Sequence, residues 1–591
     1  MNFQHKRRKS ERGIEFRGAH GGRPGSQSLR EPPPRLGLIL VVASVCALAP
    51  AAAQNATTPR EAESALHRAT EYYVSNVSTG GGYHFRYSAD LSYGRSEQAE
   101  GPTQVSVQRD GTPIVGMAYL RAYEATGDRF YLEAARGTAN ALVQGQHCSG
   151  GWDYIIEFDP AKRENYPYRA DDNCGVTKTP TGAPIYTTLD DNVSQAALRL
   201  LMRVDRELEF KDKKIHEAAM YALDRLSKAQ YPNGAWPQRF HEYPNPADYP
   251  VKKASYPESW PRSWPNENYR GNYTFNDNSI VDMIDAFLEA SRIYKEPKYQ
   301  AVAEKGAGFI LLAQMPEPQP AWAQQYDRDM HPVWARQFEP ASISGGESQN
   351  ILQMLLVLYR ETGDRKYLEP IARALKYLKS SGLPERPNQP ARKTRSCPPG
   401  TLCLARFYEL RTNKPLFITK GTMVNVQGGP SLRPDGYEVS YDDSDTITHY
   451  SLFQNASSLA LVEAEYERVK SADPATLRRP DKLHGLSPWS DGFEQAQPQR
   501  DPASRAAAVV AELNADGTWV SEGSVGKAER LVSVYAARDM VVTIDGKPYP
   551  LKEDSRLEVF PGTEPPLGKI LISSLFARNI EALSDYIESA K

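Results

Sequence analysis

Apolar residues recur at three- and four-residue spacing from Thr112 to Leu383, the mark of helices that bury one face. Ala197-Leu198-Leu200-Leu201, Ile280-Met283-Ile284-Phe287 and Leu352-Leu355-Leu356-Leu358 each lay a stripe along one helix side. An entry helix is expected over Pro59–Val77, ahead of a Gly-rich loop, and a last helix near Ser451–Lys470. A joint recurs between the stripes. Tyr-Glu-Ala-Thr-Gly-Asp-Arg-Phe-Tyr-Leu-Glu starts at Tyr123, and Tyr-Arg-Glu-Thr-Gly-Asp-Arg-Lys-Tyr-Leu-Glu at Tyr359. A weaker copy starts at Ser291, and Val204–Ile215 is a looser fourth. The helices after these joints run into Gly-Gly-Trp-Asp-Tyr at Gly150, Gly-Ala-Trp-Pro-Gln at Gly234 and Ala-Trp-Ala-Gln-Gln at Ala321. Such recurrence implies stacked units. Each unit reads as a helical hairpin with a Trp at one common end, so Trp152, Trp236 and Trp322 are candidate walls of an aromatic cleft.

The pattern changes outside this region. The Pro- and Tyr-rich insert His241–Asn272 reads as a loop long enough to be functional. Residues 384–450 mix turns with short strand-like runs such as Pro415–Ile418. Beyond Pro474 the chain is polar, then alternates over Met540–Ile544 before an expected turn at Asp545-Gly546. The expected organisation is a targeting segment or anchor at 1–53, a helical domain at 54–475, and a linker with an appended, partly β segment at 476–591. Leu36–Leu48 is apolar but too short to span a bilayer comfortably, and Ala51-Ala52-Ala53 offers a small-residue cleavage site before Gln54. The basic stretch Lys6–Lys9 lies far upstream. Either the chain start is assigned too early or the segment is an uncleaved anchor.

The mature protein is read as secreted or periplasmic, a monomer without a membrane span. Cysteine usage agrees. Apart from Cys46, the cysteines are Cys148, Cys174, Cys397 and Cys403, an even set that favours disulfides in an exported protein. Cys148–Cys174 would fasten the loop around Trp152, and Cys397–Cys403 would close a Pro-Pro-Gly turn. Irregular spacing without a His pair disfavours zinc. A net charge of -2 gives no basic footprint, which argues against nucleic acid as a partner. The 33 Tyr and 8 Trp supply rings that pack in cores and also suit sugar faces.

Chemistry gathers at the helix ends opposite the joints. One helix begins in Leu189-Asp190-Asp191-Asn192-Val193-Ser194, the next in Thr274-Phe275-Asn276-Asp277-Asn278-Ser279, and a third in Ser342-Ile343-Ser344-Gly345-Gly346-Glu347-Ser348. Short polar residues there serve as N-caps. Three such starts at one end of a stack could also converge carboxylates on a hard cation. The run Trp322–Ser348 adds Asp327, Arg336, Glu339 and Glu347 among few hydrophobic residues. Arg336 reads either as a structural ion-pair partner of Glu339 or Glu347, or as a guanidinium fork that grips a carboxylate.

Ordered motifs then carry a family resemblance. Tyr-Pro-Asn-Gly-Ala-Trp-Pro-Gln at 231–238, Thr-Phe-Asn-Asp at 274–277, Trp-Ala-Gln-Gln at 322–325 with Asp327, Ala-Arg-Gln-Phe-Glu-Pro at 335–340 and Glu347-Ser348 resemble family 10 polysaccharide lyases, the pectate lyases. Ala-Arg-Phe-Tyr-Glu-Leu at 405–410 and Asn-Lys-Pro-Leu-Phe at 413–417 continue the resemblance, which covers roughly 110–450. It implies a mainly α fold, a partial (α/α) toroid of helical hairpins with irregular and short β segments. It implies calcium-dependent β-elimination on α-1,4-polygalacturonate, with pectin as the natural partner and unsaturated oligogalacturonides as products. By resemblance Arg336 is the base. Asp190 and Asp277 are the calcium aspartates, with Asp191 as a neighbour. Arg406 and Lys420 hold substrate carboxylates, and Trp236, Trp322, Gln238, Gln325, Asp327 and Glu347 complete the substrate cradle. An arginine base strains ordinary pKa logic and predicts activity that rises toward alkaline pH.

The chain departs from the family pattern at Lys420, which keeps the charge but loses the fork, at Tyr326 and Ala323, and over Leu432–Tyr441. Two other classes therefore stay open. One is a glycoside hydrolase on a helical toroid, using carboxyl groups among Asp191, Asp277 and Asp327. The other is a non-catalytic protein that binds acidic polysaccharide.

Overall fold

The computed structural model describes residues 16–17, 57–180, 182–384, 397, 400–420, 437–443, 446–447, 450–493, 501–525, 532–535, 540–544, 547–551, 556–559 and 567–591. The larger compact unit comprises 57–424, 433–525 and 567–591. Its helices are α1 (Pro59–Tyr72), α2 (Thr112–Thr126), α3 (Arg129–Gly145), α4 (Val193–Glu207), α5 (Lys213–Lys228), α6 (Ser279–Tyr294), α7 (Pro297–Ala313), α8 (Glu347–Thr362), α9 (Glu369–Ser380), α10 (Ser458–Val469), α11 (Pro502–Glu512) and α12 (Ser573–Ser589). The pairs α2/α3, α4/α5 and α6/α7 pack as hairpins, and α2, α4, α6 and α8 contact one another in succession. Helices α4, α6 and α8 are buried almost all round, whereas α5 and α9 bury one face. This is a partial (α/α) toroid with inner and outer helices, as the hairpin reading expects.

The repeated joint has a local cause. Gly127 and Gly363 end α2 and α8 in the left-handed conformation, with φ of 76° and 70°, which glycine adopts without Cβ strain. The next residue, Asp128 or Asp364, accepts the N–H of Phe130 or Lys366 and so starts the following helix. Thr-Gly-Asp is therefore a C-terminal stop fused to an N-cap. In the weaker copy Lys295 takes the left-handed position and Pro297 opens α7.

The opposite ends are tied by the Trp loops. The indole N–H groups of Trp152, Trp236 and Trp322 donate to the carbonyls of Leu142, Leu226 and Ile310, late in the preceding helices, at 2.8, 2.9 and 2.9 Å. Thr188, Thr274 and Ser344 then donate their backbone N–H to the same three Trp carbonyls. Two-residue strand pairs link neighbouring loops: Thr187–Thr188 with Arg239–Phe240, Tyr273–Thr274 with Gln325–Tyr326, and Ile343–Ser344 with Phe407–Tyr408. The last pair extends through Pro415–Lys420 to Tyr437–Ser440, and Arg262 to Trp264 of the long insert hydrogen-bond to that outer edge. Disulfides join Cys148 to Cys174 and Cys397 to Cys403. Among the described residues no helix is long and apolar enough to cross a membrane.

The expectation of an appended segment at 476–591 is corrected for 476–525 and 567–591, which belong to the larger unit, while 526–566 fall in the smaller one. Helix α12 packs against α2, α1 and α11, and its Phe576 stacks on Tyr73 at 3.7 Å between ring centroids. Phe576, Ile580, Leu583 and Ile587 are buried, so this is a core helix that the polar stretch before it disguises in sequence. Residues 477–493 likewise lie against inner helices. Arg479 pairs with Asp285 and Glu361 at 2.7 and 2.6 Å, and the Trp489 indole donates to Asp282 at 2.7 Å.

The smaller unit groups 1–56, 425–432 and 526–566. Its described residues form short antiparallel pairs. Phe16–Arg17 pairs with Met540–Ile544, which pairs with Lys547–Leu551, and Val532–Tyr535 pairs with Arg556–Val559. The expected strand at 540–544 is present. The turn at 545–546 and nearly all of the expected targeting segment lie outside the described residues.

If α12 is core, deleting 567–591 exposes the apolar face of α2. The shortened chain is expected to lose cooperative thermal unfolding and to aggregate. A soluble truncation with an unchanged melting temperature would show that α12 is dispensable.

Candidate active site

Two helix starts build the acidic centre. Asp191 and Asn192 before α4 have φ of 51° and 56°, and Asp277 and Asn278 before α6 have φ of 48° and 60°. Two consecutive left-handed residues are tolerated here because Asp and Asn accept this region better than other branched or bulky residues. The turns bring Asp190, Asp191 and Asp277 together, with one carboxylate oxygen of each within 4.8 Å of the others. In the second turn Asn276 stands where the first has Asp190. It donates to Asp277 Oδ2 at 2.6 Å.

Arginines and a tyrosine surround these carboxylates. Arg239 Nη2 donates to Asp190 Oδ2 at 3.0 Å and to Tyr154 Oη at 2.9 Å. Tyr154 in turn donates to Asp190 and Asp191 at 3.1 and 3.3 Å. Arg336 donates through Nη2 to Asp277 at 3.0 Å and through Nε to Glu339 at 2.8 Å, and its Nη1 lies 4.0 Å from Asp190. Its loop is fixed by Trp334 and Trp264, whose indoles donate to the carbonyls of Arg336 and Ala335. Arg406 donates to Glu347 at 2.8 Å and lies over the Tyr450 ring at 4.2 Å. Tyr450 Oη donates to Glu339 at 2.8 Å and accepts from Gln324 at 2.9 Å, so one half-buried phenol links the surroundings of both arginines.

Crowding sets the protonation. Burial and the Asp190 charge push Asp277 up to about 8, and the same two causes push Asp191 up to about 6. Burial also acts to raise Asp190, but Arg336 and Arg239 pull it below the usual carboxylate range. For Arg336, burial favours the neutral form, yet the charges of Glu339 and Asp190 outweigh it and hold the proton on. Asp190 Oδ1 is buried and, among the described residues, has no hydrogen-bond partner. An unsatisfied carboxylate oxygen beside two more carboxylates suits a hard cation with oxygen ligands, and a calcium ion fits this donor set.

The structure brings Asp190, Asp191, Asp277 and Arg336 into one cluster, with Arg406 and Glu347 beside it. Other expected residues lie elsewhere. Trp236 and Trp322 are 0% exposed, so the expectation that they wall a cleft is corrected, as it is for Trp152. Their indoles cap helix carbonyls, and the stack consumes the rings as core. Gln238 is buried, and its backbone carbonyl accepts from Leu189. Gln325 is buried and donates to the Val333 carbonyl at 3.0 Å. The preceding residue, Gln324, faces the site instead and donates to Glu347 at 3.1 Å. Asp327 accepts the N–H groups of Asp329 and His331, which makes it a turn-former. Glu347 is buried and acts as a clamp on Arg406. Lys420 ends a strand, and its side chain lies outside the described residues, as do 432–436. Sequence reading missed the roles of Tyr154, Arg239 and Tyr450. The first two lie two and three residues after a loop Trp, a register that marks site-facing positions.

Residues 161–445 match the family model for pectic acid lyase. Among solved structures, a mutant of a family 10 polysaccharide lyase from Cellvibrio cellulosa, in complex with trigalacturonic acid, is 17% identical over 60% of this chain and 97% of its own, with a TM-score of 0.38. A D-mannose isomerase is 14% identical over 59% of this chain and 74% of its own, with a TM-score of 0.35. A cellobiose 2-epimerase from Spirochaeta thermophila is 13% identical over 55% and 70%, with a TM-score of 0.33. No curated protein matches the chain.

The shifts fix a stability profile. The unfolded-chain pKa of these aspartates is about 3.9. Raised folded-state values mean that the native protein keeps protons the unfolded chain releases. Stability of the metal-free protein therefore falls as pH climbs from about 4 towards about 8. In chelator, the melting temperature is expected to drop by several degrees between pH 5 and pH 8.5, and Asp277→Asn to flatten that slope. A level or rising profile for the parent protein would contradict the assignment.

Proposed function

We propose, for a chain whose residues 161–445 match the family model for pectic acid lyase, calcium-dependent β-elimination on α-1,4-polygalacturonate with Arg336 as the base. The observation that carries the reading is Arg336 bonded to Asp277 and within 4.0 Å of Asp190, beside a carboxylate group able to hold a cation. Asp190, Asp191 and Asp277 would hold the calcium. When bound it would supply positive charge to a substrate carboxylate and so acidify the C5–H next to it. Arg406, clamped by Glu347 and stacked on Tyr450, orients a second carboxylate by a charge-assisted hydrogen bond. Arg336 takes the C5 proton, the C5–H electron pair forms the C4–C5 double bond, and the glycosidic oxygen leaves from C4 with the C4–O pair and takes a proton from water to become a hydroxyl.

In the metal-free protein Asp190 and Glu339 keep Arg336 protonated. Base function therefore requires part of that negative charge to be neutralised, which ties activity to calcium and to alkaline pH. The two disulfides agree with an exported enzyme. A hydrolase reading keeps one favourable observation, since Asp277 at about 8 holds a proton suitable for a general acid. The products separate the two: a lyase leaves an ultraviolet-absorbing unsaturated end, and a hydrolase leaves none.

On polygalacturonate with calcium, unsaturated product is expected at a rate that rises from neutral to alkaline pH. Arg336→Ala is expected to lower that rate by at least about a hundredfold, within the range for general-base loss, with the helical circular dichroism spectrum unchanged. Elimination at the parental rate in this variant would remove Arg336 from the base role. Chelator is expected to abolish turnover and added calcium to restore it. Full activity in excess chelator would take the metal out of the reaction.

A further inference from the structure

The long insert ends in a cation without a counter-charge. Among the described residues no carboxylate pairs with Arg270, and its Nε is buried with no hydrogen-bond partner. A buried donor left in that state costs stability unless something else satisfies it. The guanidinium is supported by aromatic faces instead, with its Cζ 5.6 Å from the Tyr186 ring centre and 5.5 Å from that of Tyr269. This cation–π support positions the charge without neutralising it.

The backbone holds the residue in place from several sides. Arg270 N–H donates to Asn268 Oδ1 at 3.2 Å, the Arg270 carbonyl accepts from Arg239 N–H at 3.3 Å, and the Gly271 carbonyl accepts from Tyr231 Oη at 2.7 Å. The contact with Arg239 makes the patch continuous with the acidic centre, because Arg239 bonds Asp190. The strand pair Thr187–Thr188 with Arg239–Phe240 flanks it with Tyr186 and His241, whose rings meet edge-on at 5.2 Å. A fixed, unpaired guanidinium next to half-buried tyrosine rings therefore borders the site on the Asp190 side.

We infer that Arg270, with Tyr186 and Tyr269, forms a further subsite for a uronate unit of the substrate chain, in which the guanidinium grips the carboxylate and a tyrosine face meets the pyranose ring. The chemistry selects an acidic sugar. A neutral or esterified unit would satisfy the ring contact but leave the guanidinium without an anion. The inference rests on the acidic-polysaccharide reading above. It adds to that reading a requirement for a free carboxylate at a unit beyond those at Arg336 and Arg406.

Binding separates the two levels. Hexagalacturonate and its fully methyl-esterified form are titrated calorimetrically, with calcium, into the full chain carrying Arg336→Ala, so that elimination does not consume the ligand. Adding Arg270→Gln is expected to weaken hexagalacturonate about tenfold, the size of one charge-assisted hydrogen bond, and to leave the esterified ligand unchanged. Arg270→Lys, which keeps the charge, is expected to retain part of the affinity. Unchanged hexagalacturonate affinity in both Arg270 variants would overturn the subsite, as would equal losses for the two ligands. Failure of the Arg336→Ala protein itself to bind hexagalacturonate would overturn the acidic-polysaccharide reading, and the subsite with it.

Discussion

Three aspartates share one corner at the ends of α4 and α6, and the surrounding site exists to tolerate that crowding. Like charges at this separation repel strongly in a partly dry environment. The protein answers in two ways. Arg336 and Arg239 draw Asp190 down, while burial and the Asp190 charge make Asp191 and Asp277 hold their protons to higher pH than a free carboxyl does. The arginines are themselves held, Arg336 by Glu339 and Arg239 by Tyr154. The result is a balanced network in which a cation, a substrate carboxylate or a proton each shifts the state of every other member. Such an arrangement stores responsiveness at a cost in stability, as functional sites commonly do.

The toroid beneath it makes that corner rigid. The inner helices carry charges deep in the core: Arg199 pairs with Asp285 and Glu289, and Arg203 also reaches Glu289. Residues 477–493 complete this interior through Arg479 and Trp489, and the Asn192 side chain donates to Ser487 Oγ at 3.1 Å. Asn192 is one of the left-handed residues that shape the acidic turn. Chain far from the site in sequence thus buttresses the turn that holds Asp191. Removing one partner from such a buried ionic set leaves an uncompensated charge, so the set enforces one geometry even where its net contribution to stability is small.

Part of this was legible in the linear chain. The Thr-Gly-Asp joints at 126–128 and 362–364 are a helix stop and a helix start in adjacent residues, and they specify hairpins without tertiary help. Asp-Asp-Asn and Asn-Asp-Asn ahead of apolar stripes marked helix starts able to converge carboxylates, but they read as N-caps, whereas Asn192 and Asn278 make no side-chain capping bond and take the left-handed backbone instead. Disulfides were legible from an even cysteine set, but that number alone leaves the pairing open, and the structure decides it as Cys148–Cys174 and Cys397–Cys403. The direction in which a ring or an amide points was not. Trp236 and Trp322 carry both an apolar body and an N–H donor, and local sequence does not say whether a helix carbonyl or a sugar will take that donor. Gln324 immediately precedes the two-residue strand that Gln325 opens, and the extended backbone sends one side chain to the site and the other to the core.

By itself, then, the sequence determined the helical hairpins, the polar helix starts and the presence of Arg336 in a charged loop, because caps, turns and periodicity are local properties of the backbone. Only the tertiary structure decided that the Trp rings are core, that Arg336 is clamped between Glu339 and Asp277, that α12 packs against α2, and that Arg270 has no acidic partner among the described residues. Those outcomes depend on which surfaces meet across hundreds of residues. Burial, which sets both the pKa of Asp277 and the worth of each ion pair, does not exist until they do.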